Sequence, residues 1–139
     1  MFQSGLSGNI LLQSRLNVDH NLTIQGPSNL SINIQGDGAF EDIYIPSTKT
    51  VTLENLVLSH GSGDHGSGVK NLGTLTIDHC TLSGNMAADG GGIFNTGTVT
   101  ITDSVLSGNT ANKGNYQGSG GAIYNAKTGT VSISGSSTL

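Results

Sequence analysis

The side chains with chemical potential are few, and their spacing says how they would have to be assembled. Glu54 and Asp78 stand 24 residues apart, and Asp103 falls one place out of that register, level with Asn55 and His79. Two carboxylates about 5 Å or more apart are the equipment of a glycosidase. Any fold that stacks the chain at this interval produces that spacing, so solvated turn residues are the expected outcome. His60, Asp64, His65 and Asp89 offer two imidazoles and two carboxylates, a donor set for a divalent metal. A metal needs fixed ligands, and the run from His60 to Gly66 holds three glycines. No metal and no cofactor is therefore expected, and His20 and His79 are read as surface residues. Cys80 is the single cysteine. It has no basic neighbour in sequence to activate it, and a small core hydrophobe is expected.

Other residues could touch a ligand without reacting with it. Lys70, Phe94 and Tyr124 fall in one column of the alignment below. Its two aromatics could stack on a sugar ring, or on each other with the lysine stem alongside. Packing is the expectation, and Phe94 and Tyr124 stay candidates for ligand contact. Lys113, Asn115, Tyr116 and Gln117 are further candidates, because they lie in the largest departure from the repeat, Thr110 to Ser119. Thr50, Thr52, Thr74, Thr76, Thr98, Thr100, Thr130 and Ser132 form Thr-X-Thr pairs that would line one face. On a flat sheet they would make a grid about 4.8 Å by ~6.7 Å. Threonine is also simply a good solvent-facing strand residue. Asn71, Asn95 and Asn125 share one position, and Asn85 and Asn109 another. These are read as turn residues tolerant of left-handed backbone, whose amides could bond to one another in a stack.

The elements that position these residues follow from an internal repeat. Lys49 to Leu53, Gly73 to Ile77 and Gly97 to Ile101 align at an offset of 24, and Gly129 to Ile133 follows at 32. Leu56 to Ser59, Cys80 to Ser83 and Ser104 to Ser107 align in the same register, as do Gly68 to Asn71 and Gly92 to Asn95. Ala122 to Asn125 answers the last pair 30 residues on. Leu75 and Ile77 alternate with Thr74 and Thr76, the period of a strand. One repeat cannot bury its apolar face alone, but stacked repeats can. The expected fold is all-β: a right-handed parallel β-helix with three short strands per rung, about 24 residues per rung and about five or six rungs. Residues 1–139 are expected to form a single domain, 1–48 as irregular rungs and 49–139 as regular repeats. Since the last repeat stops midway, a fragment of a longer protein is expected.

Composition excludes several classes. Charged residues are 10% and the net charge is −4, with Arg15 the only arginine. No basic patch stands out, so no nucleic-acid partner is expected. No apolar run approaches the ~18 residues of a membrane helix, and residues 1–5 do not read as a signal peptide.

The residues also resemble known families. Asn21 to Pro27, Gly73 to Ile77, Leu82 to Asn85 and Gly90 to Asn95 look like bacterial right-handed β-helix surface proteins of pectate-lyase-like fold. Gly120-Gly121-Ala122-Ile123 is similar to the signature of chlamydial polymorphic outer-membrane proteins, whose repeats form autotransporter passengers. Leu82 and Leu106 stand where that family carries an aromatic residue. The resemblance spans about residues 16–139. It implies an extracellular or cell-surface protein, often large and often adhesive. The expected function is thus a non-catalytic scaffold in an adhesin-like exported protein, with host or surface glycans or protein as partners, and with end-to-end self-association through open strand edges. A carbohydrate-active β-helix, binding or cleaving polysaccharide, is the alternative. Lyases of this fold, however, use clustered acidic calcium ligands with basic catalytic residues, and its galacturonan hydrolases carry a Gly-His-Gly that is absent here. A second alternative is ice binding, since ice-binding solenoids show similar Thr-X-Thr ranks.

Overall fold

The computed structural model describes residues 5–29, 31–112, 114 and 118–139. Among them there is no helix. Each rung contributes one strand to each of three parallel sheets, and every sheet is five strands deep. The first sheet comprises Gly8–Leu11, Ile32–Gln35, Leu56–Ser59, Thr81–Ser83 and Val105–Ser107. The second comprises Leu16–Asn17, Ile43–Ile45, Val69–Asn71, Ile93–Asn95 and Ile123–Asn125. The third comprises Leu22–Gln25, Thr50–Glu54, Thr74–Asp78, Thr98–Thr102 and Thr130–Ser134. The chain winds about four turns from the first strands to the last. The expected five or six rungs are met at the lower figure, a sixth being only begun by the Thr138 bridge to Val105. A fourth pairing, Met86–Ala87 with Thr110–Ala111, forms a short corner that the three-strand reading did not include.

The stacking register is the one read from the repeat. Val51 pairs with Leu75, Leu75 with Val99 and Val99 with Val131. Their side chains point inward, and Val51, Leu75 and Val99 are fully buried. Leu53, Ile77 and Ile101 form a parallel buried column, as do Leu58, Leu82 and Leu106. Burying each such side chain contributes about 1.5–3 kcal/mol. Threonines alternate on the opposite side of the third sheet. Thr74 and Thr98 are exposed, whereas Thr76 and Thr100, expected to be exposed, are half-buried. The center of a sheet shields its middle column more than its margin. Ile123, expected in the core, is also half-buried, because a strand pairs with it on one side only.

Two corners explain how a strand can turn so tightly. Between the third and first sheets, Asn55, His79 and Asp103 stack with φ of 53°, 50° and 46°. After the first sheet, His60, Gly84 and Gly108 stack with φ of 59°, 65° and 62°. At these two corners the left-handed residues are these, and none of the five asparagines read as turn formers has positive φ. Asn71 and Asn95 instead lie buried at strand ends.

Candidate functional surfaces

The interior asparagines form two ladders. Asn71 Nδ2 donates to Asn95 Oδ1 at 2.8 Å, and Asn95 Nδ2 donates to Asn125 Oδ1 at 2.8 Å. The oxygens of Asn71 and Asn95 also accept from Gly73 and Gly97 N–H groups, at 3.1 Å each. Asn85 Nδ2 donates to Asn109 Oδ1 at 3.0 Å, and Asn85 Oδ1 accepts from Gly61 N at 2.9 Å. Every one of these contacts is internal, so the amides serve the fold. Cys80 is buried, close to the Leu53 and Asp78 carbonyls, and burial pushes its thiol up to about 11. That is the inert cysteine expected.

The second sheet carries the aromatic column. Tyr44, Lys70, Phe94 and Tyr124 are register partners in successive rungs. Phe94 and Tyr124 stack on each other, with ring centroids 5.2 Å apart and planes at 14°. His65 leans on Phe94 at 4.9 Å, and the Arg15 guanidinium sits 4.8 Å from the Tyr44 ring center. The rings thus pack along the stack and use their faces on one another, which leaves Phe94 little face to offer a sugar. Tyr44 belongs to this column, and Arg15 reaches over it from the first rung, where Asn17 is the register partner; the sequence alignment misses both because the rung offset there is 26 and then 27 residues instead of 24.

The third sheet carries the threonine array. Thr50, Thr74, Thr98 and Thr130 align, and Thr52, Thr76, Thr100 and Ser132 align beside them. Thr23 pairs with Thr52 and extends the second rank to five rungs. Asn21 lies at the foot of the first rank, its Oδ1 accepting from Thr50 N at 2.9 Å. The next column, Gln25, Glu54, Asp78, Thr102 and Ser134, cross-bonds along the stack: Gln25 Nε2 donates to Glu54 Oε2 at 2.6 Å, and the Thr102 and Ser134 hydroxyls lie 3.1 Å apart. Glu54 and Asp78 are neighbours as read, each half-buried.

His60, Asp64, His65 and Asp89, the donor set weighed and set aside in the sequence, are not gathered into one group. His65 Nδ1 lies 3.6 Å from Asp89 Oδ2, while the His60 ring contacts Ser59 Oγ at 2.9 Å. Among the described residues, the cluster with ligand atoms mutually within 4.8 Å is Asp78, His79 and Asp103, at the exposed left-handed corner. His79 Nδ1 is 2.7 Å from Asp78 Oδ1, and Asp103 Oδ1 accepts from Ser136 N at 2.8 Å. These contacts satisfy the corner from within.

Lys113, Asn115, Tyr116 and Gln117 lie outside the described residues. Both ends of their insert are tied to the preceding rung. Thr110–Ala111 pairs with Met86–Ala87, and Ser119 N donates to Asp89 Oδ1 at 3.0 Å. A Cβ on Gly118 would overlap the Ala88 carbonyl oxygen, so only glycine fits where the insert returns. An open groove of about 470 Å³ lies at the neighbouring corner and is lined by Asp37, His60, Ser62 and Met86 among others. Glu54 and Asp78 do not line it.

Residue Asp42 was missed altogether. It is fully buried, and no hydrogen bond reaches either carboxylate oxygen. Its column mates one strand-pairing step on, Gly68, Gly92 and Ala122, are all small. A column of small residues marks a crowded interior corner and was the available signal.

Among the described residues, no helix is long and apolar enough to cross a membrane. No curated protein and no solved structure matches the chain. The family model of the Chlamydia polymorphic membrane protein repeat matches residues 103–126, the segment that carries the insert and Gly120-Gly121-Ala122-Ile123, so this segment is similar to that repeat.

Proposed function

We propose that the chain is a non-catalytic β-helical scaffold of an adhesin-like, exported protein displayed at the cell surface. The observation that carries this reading is that the repeat match covers the first-sheet and second-sheet strands of one rung together with the insert anchored between them. A rigid rod presents whatever its corners carry at fixed spacing, and loops on rigid supports are where contacts concentrate. Lys113, Asn115, Tyr116 and Gln117 are the proposed contacts, toward a glycan or protein of another surface. The test is binding of the purified chain to cultured epithelial cells and to a glycan array. Replacing residues 112–117 by a short Gly-Ser link should leave the circular dichroism unchanged and reduce binding at least about tenfold, the loss of a contact worth ~1.4 kcal/mol. Unchanged binding in the folded variant would contradict it.

A second reading draws on the threonine ranks, which the Thr23 pairing extends to five rungs. Such a lattice could order water and bind ice. Faceted ice growth that is lost in Thr76→Tyr would support this reading, and ice growing as in buffer would dismiss it. The polysaccharide-cleaving alternative has less support, since the stacked rings of Phe94 and Tyr124 face each other.

A further inference from the structure

We propose that Asp42 is an acid-strengthened lock on the first rungs of the β-helix, holding them closed in acid and loosening them toward neutral and mildly alkaline pH. The proposal rests on where the side chain is placed. Asp42 is 0% exposed, and both its oxygens are without a hydrogen-bond partner. Its backbone is fixed in the stack from both sides: Leu16 N donates to its carbonyl at 2.9 Å, and its own N–H donates to the Ser67 carbonyl at 2.8 Å. With the backbone so fixed, the side chain lies fully buried in the interior. It packs toward the Gly36 corner, where a Cβ on Gly36 would meet its Oδ1 at 2.5 Å.

The packed elements offer no countercharge. From the preceding rung, Arg15 directs its guanidinium to Glu41 Oε1 at 3.4 Å, to Asn17 Oδ1 at 3.0 Å and over Tyr44. Glu41, on Asp42's own segment, is held in that pair. Asp37 follows Gly36, and His60 precedes Gly61, at the same corner; Asp64 and His65 precede Ser67 in the next rung. Lys70, on the paired strand Val69–Asn71, aligns with Tyr44 in the column that faces away from the core, so it too leaves the Asp42 oxygens without a partner. Burial raises its pKa from 3.8 to about 8; the nearby Gly36 N–H lowers it somewhat without hydrogen-bonding the carboxylate, its bond going to the Ser59 carbonyl at 3.3 Å.

The direction follows from linkage. The group's folded-state pKa lies above that of the open state, so the closed state binds the proton more tightly. The stabilization is complete below about pH 4, declines as pH rises, and is gone above about pH 8. This is the reverse of ordinary acid denaturation, in which carboxylates are stabilized as anions. In later rungs the corresponding corner is filled by Asn85 and Asn109, which are neutral at every pH and bond to each other.

Amide hydrogen exchange of the full chain at pH 5 and pH 8, corrected for intrinsic rates and expressed as opening constants, tests the proposal. Amides of residues 32–45 should open at least about tenfold more at pH 8 than at pH 5, those of residues 74–101 should not, and Asp42→Asn should abolish the difference. Equal opening at the two pH values, or the same rise in the asparagine variant, would overturn it. Should that variant fail to fold, the carboxyl carbon resonance of Asp42 in the unaltered chain decides. Titration near 8 supports the lock, and titration near 4 refutes it.

Discussion

The central rungs and the first rungs use one plan with different strictness. From Thr50 to Asn109 the offset is 24 in all three sheets, so like residues meet like: Leu82 sits between Leu58 and Leu106, and Asn85 bonds Asn109. Before that, only the first sheet keeps 24, with Gly8 on Ile32 and Ile32 on Leu56. The second sheet steps by 27 and 26, and the third by 29, because the corners hold extra residues. The cost appears in the polar interior. In the strict rungs each buried amide finds its copy one step along, while in the loose rungs Asp42 finds none. Exact repetition thus supplies partners for buried polar groups without any pair having to be specified separately.

The comparison breaks most sharply in the core. Leu75→Ala should destabilize the fold by about 2–5 kcal/mol, since its site is enclosed on both sides by Val51 and Val99. Leu22→Ala, at a position 44% exposed in the first rung, should cost under about 1 kcal/mol. Urea denaturation of the two variants measures the gap, and similar losses would mean that the two regions are equally packed. Next comes the amide ladder. Asn95→Ala removes the link between Asn71 and Asn125 and leaves the Asn71 Nδ2 and Gly97 N–H short of partners, a loss of about 1–3 kcal/mol. Asn125→Ala, at the exposed end of the same ladder, should cost less. Thermal melting at matched pH checks the order. A smaller effect is expected on the outer face: Phe94→Ala should cost about 1 kcal/mol through its contacts with Tyr124 and His65. Arg15→Ala should change stability by no more than about 1 kcal/mol, because its pair with Glu41 is partly solvated. A large Arg15 effect would show that the first rung depends on its surface contacts more than on its core.

Legibility in the sequence tracked this same difference. Where the offset is constant, the columns Leu53, Ile77, Ile101 and Thr52, Thr76, Thr100 could be read directly and their stacking is as expected. The 24-residue spacing of Ile10, Ile34, Leu58, Leu82 and Leu106 was equally readable, yet the first two fell in a segment read as irregular because its other two strands are displaced. Tyr44 was lost from the aromatic column for that reason. That the asparagines share columns and can bond one another in a stack is legible, but their backbone conformation is not, since identity alone does not say whether an Asn bonds its own turn or a neighbouring rung. Asp42 precedes Ile43, and strict alternation would place it outward. The corner turns it in, as it does Gly68 and Gly92, and only comparison down the column reveals this. Side-chain pairings across a corner, such as His79 with Asp78, depend on left-handed backbone that alternation does not encode.

The central claim is that residues one rung apart are paired in parallel, with Leu75 between Val51 and Val99. Backbone nuclear Overhauser effects test it most directly on a chain of 14.1 kDa. The account predicts cross-peaks linking Leu75 to both Val51 and Val99, Thr76 to Thr100, and Phe94 to Tyr124, at sequence separations of 24 and 30. Cross-peaks joining strands consecutive in sequence in antiparallel register, without the 24-residue contacts, would contradict it.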